Sequence, residues 1–423
     1  MTGTPAALQA GPGHNSAAGY DVEAIRQDFP ILSRSIYGKP LVYLDNGASA
    51  QKPRAVIDTV TKIYEEEYSN VHRGAHFLSG IATDAFEAAR CKVAAFLNAA
   101  SDDEIIFTRN TTEAINLVAH SYAGAFLKEG DEIVISTMEH HANIVPWQIL
   151  RDTKGIVLKV APITDRGELI LEEFEALLGP RTRLVAMTHT SNVLGTRLPA
   201  RQIIEMAHAR DIPVLLDGAQ AAVHGQVDVR DLDVDFYTFT GHKLYGPSGI
   251  GVLYGKMALL EKMPPYQGGG EMIDKVSFEK VTFKAPPHRF EAGTPPIAQA
   301  IGLGAAIDYV TGIGLEKIAA HEAKILEHAT ARLSEIEGLR ILGQAPGKAA
   351  IVSFLVEGIH SYDVATILDR AGVAVRVGHH CAEPLMARFG VEATLRASIG
   401  LYNTEAEIDT LAAALAKAKA VFG

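Results

Sequence analysis

The sequence predicts an α/β fold: a mainly parallel sheet with helices on both faces, followed by a smaller α+β domain. Three observations carry this. Short β-branched runs alternate with longer helical patterns as far as Tyr254, the rhythm of parallel strands joined by helical crossovers. Residues able to do chemistry fall just after those strands, where such sheets hold their ligands. Beyond residue 296 the rhythm changes, and 423 residues are enough for two or three domains.

The elements follow in order. Residues 1–20 are rich in Gly, Ala, Pro and Ser and read as a flexible tail, without the basic segment and apolar run of a secretion signal. Candidate strands lie at 41–45, 104–108, 132–136, 157–160, 183–188, 214–217, 236–240 and 251–254, with helical patterns at 54–68, 84–97, 113–126 and 200–209. Residues 263–295, with Gly268-Gly269-Gly270 and several prolines, read as a long connecting loop. Helices at 297–310 and 315–336 then precede strands at 350–356 and 373–377 and a last helix at 405–421. The expected division is a large domain over 37–295 and a small one built from 21–36 and 296–423.

Composition narrows the function. Lys and Arg total 39 against 50 Asp and Glu, a net charge of −11. An acidic chain without a basic block argues against nucleic-acid binding and attraction to anionic membranes, and no stretch reaches the roughly 18 uninterrupted apolar residues of a membrane span. Two cysteines, Cys91 and Cys381, cannot staple a chain of this length, so the expected setting is the reducing cytoplasm. Gly249-Ile250-Gly251 lacks the third glycine of a dinucleotide loop at Tyr254, and Gly241 to Gly246 opens like a P-loop but meets Pro247 where the lysine must stand. The adjacent pairs His140-His141 and His379-His380 do not have chelating spacing, and no metal site is expected.

The strongest signal lies between Val214 and Lys243. One strand ends at Asp217, with Gly218-Ala219-Gln220 after it; another ends at Thr240, with Gly241-His242-Lys243 after it. A lysine just past one strand and a carboxylate ending its neighbour suit pyridoxal 5′-phosphate (PLP): the lysine links to the aldehyde, and the Asp keeps the pyridine nitrogen protonated. Singly, Lys243 reads as a solvated lysine and Asp217 as a helix cap; the combination favours the cofactor. Thr111-Thr112-Glu113 opens a helix whose N-terminus offers N–H groups to a phosphate, and plain helix capping explains it equally well. Cys381 sits in Gly378-His-His-Cys-Ala-Glu-Pro384, a polar loop address, where a thiolate can act as nucleophile. Cys91, within a helical pattern, reads as structural filler.

Four segments carry a family resemblance: Thr238-Phe-Thr-Gly-His-Lys243, Met138-Glu-His-His-Ala-Asn-Ile-Val-Pro-Trp147, Asp217-Gly-Ala-Gln220 and Arg376-Val-Gly-His-His-Cys-Ala382. In this order they resemble the cysteine desulfurases, most closely the Suf-type enzymes grouped with the selenocysteine lyases in the class-V aminotransferase family, from about Asp21 to the C-terminus. The resemblance implies the PLP-dependent transferase fold type I, as in aspartate aminotransferase. It implies that Lys243 holds the cofactor, that His140 stacks on its ring as acid or base, and that Gln220 bonds its phenolic oxygen. Thr112, Thr240 and His242 are implied at the phosphate, as is Thr294 from the opposite subunit of a homodimer. Arg396 is implied to bind the substrate's α-carboxylate with Asn192 nearby; Arg376 and His72-Arg73 match active-site positions with less defined roles.

The implied reaction converts L-cysteine to L-alanine and leaves a persulfide on Cys381, which passes to an acceptor protein of the Suf system for iron–sulfur cluster assembly. Two residues depart from the family pattern near the nucleophile: Val377 replaces a small or hydroxylic residue, and Glu383 replaces Gln or Met. Three rivals remain at this level: a selenocysteine lyase using the same residues, a PLP aminotransferase or epimerase with no need of Cys381, and a non-catalytic scaffold for cluster assembly.

Overall fold

The computed structural model describes residues 19–422. The tail expected over 1–20 thus lies outside the described residues except for its end, where Tyr20 stacks on His321 at 4.3 Å and its hydroxyl donates to the Leu401 carbonyl.

A seven-stranded sheet forms the centre. Its order is Ile105–Thr108, Gly251–Gly255, Phe236–Thr240, Val214–Asp217, Thr182–Thr188, Glu132–Ser136 and Val157–Ala161. The last five strands are mutually parallel, while Gly251–Gly255 runs antiparallel to both of its neighbours. Side chains alternate between faces along each strand. Val214, Leu216, Tyr237 and Phe239 therefore join one buried cluster, while Leu215, Phe236, Ile133 and Ile135 join another. Helices Phe77–Leu97, Ala200–His208 and Ile297–Ile313 bury their apolar side chains in the first cluster. Trp147, from helix Val145–Lys154, and Ile115, from helix Thr111–Leu117, fill the second.

A four-stranded antiparallel sheet, in the order Leu339–Leu342, Ile351–Val356, Thr394–Ser398, Arg376–Gly378, packs with helices Leu315–Ser334, Ser361–Arg370 and Glu405–Phe422 around a third cluster. This architecture is the α/β fold expected from the sequence, with its smaller α+β portion.

Several local expectations are corrected. Residues 373–377 are two strands: Val373–Ala374 pairs in parallel with Val42–Tyr43, and Arg376–Gly378 pairs antiparallel with Thr394–Ser398. The loop expected at 263–295 contains a hairpin, Ile273–Val276 with Val281–Phe283. Pro384, read as part of a loop, stands in the first turn of helix Glu383–Phe389, where a missing N–H is harmless. Cys91 is exposed, its thiol 3.2 Å from Asp102 Oδ2, because it lies on the outer face of its helix. Arg90 beside it is 1% exposed, with Nη1 donating to Glu291 Oε1 at 2.6 Å and Nε to Glu87 Oε2 at 2.7 Å.

One close approach fixes the site's floor. A Cβ on Gly251 would stand 2.5 Å from the backbone of Asn110, the residue that caps helix Thr111–Leu117. Gly251→Ala is expected to destabilise the protein by about 1–3 kcal/mol through overpacking. The check is a lower denaturant midpoint at unchanged slope; an unchanged midpoint would show that the strand and helix start can separate freely.

Candidate active site

A cavity of about 330 Å³ brings together residues from both portions of the fold, within the range for small-molecule sites. Parallel pairing sets Thr188 opposite Asp217 and Asp217 opposite Thr238, so the turns after these strands meet at one edge. Lys243, Asp217, His140, Gln220, Thr112, Thr240, His242, Asn192, Arg376, Arg396 and Cys381 all line the cavity.

Burial controls the electrostatics. It pushes the Asp217 carboxyl up, while the Ala219 N–H at 2.9 Å and Lys243 pull it back. Burial likewise lowers Lys243 to about 8, against the raising effect of Asp217. His140 is pushed down to about 3 by burial and then by Lys243. Its Nδ1 accepts the Ala142 N–H at 3.1 Å, so the neutral ring carries its proton on Nε2. Gln220 is anchored by donating from Nε2 to the Gly47 carbonyl at 2.8 Å.

The substrate end is built by strand Thr394–Ser398. Arg396 is 2% exposed, and burial lowers it to about 10. Its Nη1 donates to the Asn192 carbonyl at 2.9 Å, while Nε and Nη2 have no hydrogen-bond partner. Nη2 has the Asp45 carboxylate 3.5 Å away, so the guanidinium is balanced in charge yet keeps donors available to a substrate carboxylate. Asn192 Nδ2 donates to the His380 carbonyl at 2.8 Å, linking this end to the Cys381 loop.

The arrangement fits PLP. Thr111 Oγ1 is buried without a partner at a helix start bordering the cavity, as phosphate binding requires. Asn110 Oδ1 accepts the Glu113 N–H at 2.9 Å, so the cap is formed without using the Thr111 hydroxyl. Asp217 supplies a buried acceptor for a protonated ring nitrogen, and Lys243 supplies the amine.

His72 and Thr294, the second expected at the opposite subunit's phosphate, lie outside this cavity. His72 lines a second, smaller cavity with His288, Gly293 and Pro295, and its Nε2 is engaged by Glu87 Oε1 at 2.7 Å. His72 does not line the cavity that holds Lys243. Thr294 lies between Gly293 and Pro295 of that second cavity. Two positions went unnoticed in the sequence. Asp45 accepts from Arg376 Nε at 3.1 Å and Nη2 at 2.9 Å and lies 3.5 Å from Arg396 Nη2. Glu139 is fully buried and pushed up to about 7 by burial; it accepts from Asn143 Nδ2 at 2.6 Å and Thr188 N at 3.0 Å. Both are carboxylates close after strands, the same signal that marked Asp217.

Residues 42–411 match the Aminotransferase class-V family. A cysteine desulfurase of Synechococcus elongatus is 54% identical over 399 residues, covering 94% of this chain and 64% of that protein. One from Dickeya dadantii is 54% identical over 405 residues, covering 96% and 98%. The crystal structure of the Escherichia coli cysteine desulfurase CsdA superposes with a TM-score of 0.89 at 40% identity, covering 96% of this chain and all of that one. The chain thus spans less than two-thirds of the cyanobacterial relative.

Mixed with PLP, the wild type is expected to develop visible absorbance from its covalent link to Lys243, and Lys243→Ala to lack it. An unchanged spectrum in the variant would remove Lys243 from that role.

Proposed function

The chain belongs to the class-V aminotransferase family, with PLP as its cofactor, and from that premise we propose a cysteine desulfurase that converts L-cysteine to L-alanine and keeps the sulfur on Cys381. The observation that carries the reading is an exposed cysteine on the rim of a cavity that also holds Lys243, Asp217 and the buried Arg396.

When bound, PLP withdraws electrons from the amino acid's Cα. Lys243 holds the cofactor and, once freed by substrate, moves the Cα proton; burial has already brought its amine to about 8, suited to a base near neutral pH. Asp217 keeps the proton on the ring nitrogen. Arg396 binds the α-carboxylate, and His140 presents Nε2–H to the cavity. The Cys381 thiolate attacks the substrate sulfur: an S–S bond forms, the Cβ–S bond breaks with its electrons on carbon, and a proton completes alanine's methyl group. L-cysteine and a thiol thereby become L-alanine and a persulfide.

The Suf-type assignment, sulfur delivery to an acceptor protein for iron–sulfur clusters and the cytoplasmic setting rest on the motif resemblance. So does a homodimer in which Thr294 reaches the partner subunit's phosphate; the position of Thr294 away from its own cavity supports that reading. The proposed domain division draws support from a separate buried cluster formed mainly by residues from Ile325 to Ala418, which also takes in Val42 and Leu44; Ile25, Phe29, Leu32 and helix Ile297–Ile313 pack into the larger one.

Incubation with L-cysteine is expected to yield alanine and a persulfide on Cys381 by mass spectrometry, with Cys381→Ala yielding neither. Wild type making neither in the presence of a thiol reductant would defeat the assignment. Arg396→Lys is expected to raise KM for L-cysteine roughly ten- to hundredfold, since a bidentate charged pair is lost; an unchanged KM would place the carboxylate elsewhere.

A further inference from the structure

The loop carrying Cys381 is held in an unusual backbone conformation. His380 and Cys381 have φ values of 53° and 55°, two consecutive non-glycine residues in the left-handed region. Each such residue carries about 1–3 kcal/mol of strain and persists only where its surroundings over-determine it. Asn192 Nδ2 on the His380 carbonyl at 2.8 Å, the His380 ring against Thr394 Oγ1 at 2.9 Å and the Ala382 N–H on the His379 carbonyl at 2.9 Å supply part of the restraint, and three further hydrogen bonds tie the loop to His141 and His379. His141 N–H donates to the Cys381 carbonyl at 2.7 Å, Cys381 N–H donates to His379 Nδ1 at 3.1 Å, and Glu383 N–H donates to His141 Nε2 at 3.2 Å.

Two of these bonds need an unprotonated imidazole nitrogen. Glu383 is the first residue of helix Glu383–Phe389, whose N-cap Ala382 gives no side-chain cap. His141, from a turn distant in sequence, therefore caps that helix. A proton on His141 Nε2 turns the acceptor into a donor and puts positive charge at the positive end of a helix dipole. A proton on His379 Nδ1 removes the acceptor of the Cys381 N–H in the same way.

We propose that His141 and His379 are positioning residues that latch the Cys381 loop while both imidazoles are neutral, and that acidification releases it. This rests on the reading of Cys381 as sulfur acceptor. The rings lie 5.5 Å apart between centroids, so protonating one opposes protonating the other. Glu383 is the countercharge, with carboxylate oxygens 3.8 Å from His141 Nε2 and 3.7 Å from His379 Nε2. His140 adjoins His141 at 6.3 Å between centroids, and the cations coupled to Cys381 are Lys243, Arg376 and Arg396. Burial lowers the His141 pKa, Glu383 raises it and His379 lowers it, for a net decrease. A group with a lowered native pKa that must be neutral stabilises the latched loop above its ordinary value, near 6.5, and loses that effect as pH falls through the native one. Glu383, which departs from the family's uncharged residue, shifts upward the pH at which the latch opens.

The test is amide hydrogen exchange of residues 379–385 in the PLP-loaded enzyme at about pH 7.5 and about pH 5.5, corrected for intrinsic rates. In wild type, protection at Cys381 and Glu383 is expected to fall on acidification, by up to roughly tenfold. In the double variant His141→Gln, His379→Asn, whose amide oxygens accept the same bonds without titrating, it is expected to persist at both. Glu383→Gln is a second, milder probe and is expected to move the transition to lower pH. Equal wild-type protection at both values, equal loss in the double variant, or a transition unmoved or raised by Glu383→Gln would overturn the proposal. The readout needs no turnover of L-cysteine, so failure of the desulfurase reading shows separately in the alanine assay.

Discussion

Parallel pairing of Thr182–Thr188, Val214–Asp217 and Phe236–Thr240 is the constraint on which the site depends. Parallel strands end together, so the segments that follow them emerge side by side at one edge. A shift of one residue would turn each strand's side chains to the opposite face and carry Asp217 and Thr240 away from the cavity they line. Asp217 and Lys243, 26 positions apart in number, owe their shared cavity to this register. Gly251 contributes the other half of the floor by letting the start of helix Thr111–Leu117 lie against its strand.

The second constraint is dryness. Asp217, Lys243, Arg396 and His140 are all moved toward their neutral forms by burial, because uncompensated charge is expensive away from water. Each group is only partly compensated by its neighbours, and each lacks what a charged, planar, phosphorylated cofactor and an amino-acid carboxylate provide.

Much of the sheet was legible in the sequence because its strands are short, β-branched and separated by amphipathic helices; 132–136, 214–217 and 236–240 keep their predicted limits. The break at Val375 was hidden because hydrophobic periodicity does not register a change of pairing partner. Helix Glu383–Phe389 was hidden because proline marks a loop and a first helical turn alike. The cavity-lining residues were legible as strand-end chemistry at Asp217 and Lys243, and at Arg396 only through resemblance to a family. Asp45 was missed because its partner Arg376 is distant in sequence, and Glu139 because nothing local marks the complete burial it shares with nearby Asn143 and distant Thr188. Cys91 was misplaced because a residue-type preference for burial says nothing about which helix face the residue occupies.

The central claim is that one cavity holds Lys243, Asp217, the first turn of helix Thr111–Leu117 and Cys381 as parts of a single PLP site. A crystal structure of the protein loaded with PLP tests it most directly. The account predicts the cofactor joined to Lys243 Nζ, its ring nitrogen paired with Asp217, its phosphate at Thr111 and Thr112, and Cys381 facing it across the cavity. A cofactor bound elsewhere, or bound here with Lys243 free and the phosphate away from that turn, would contradict it.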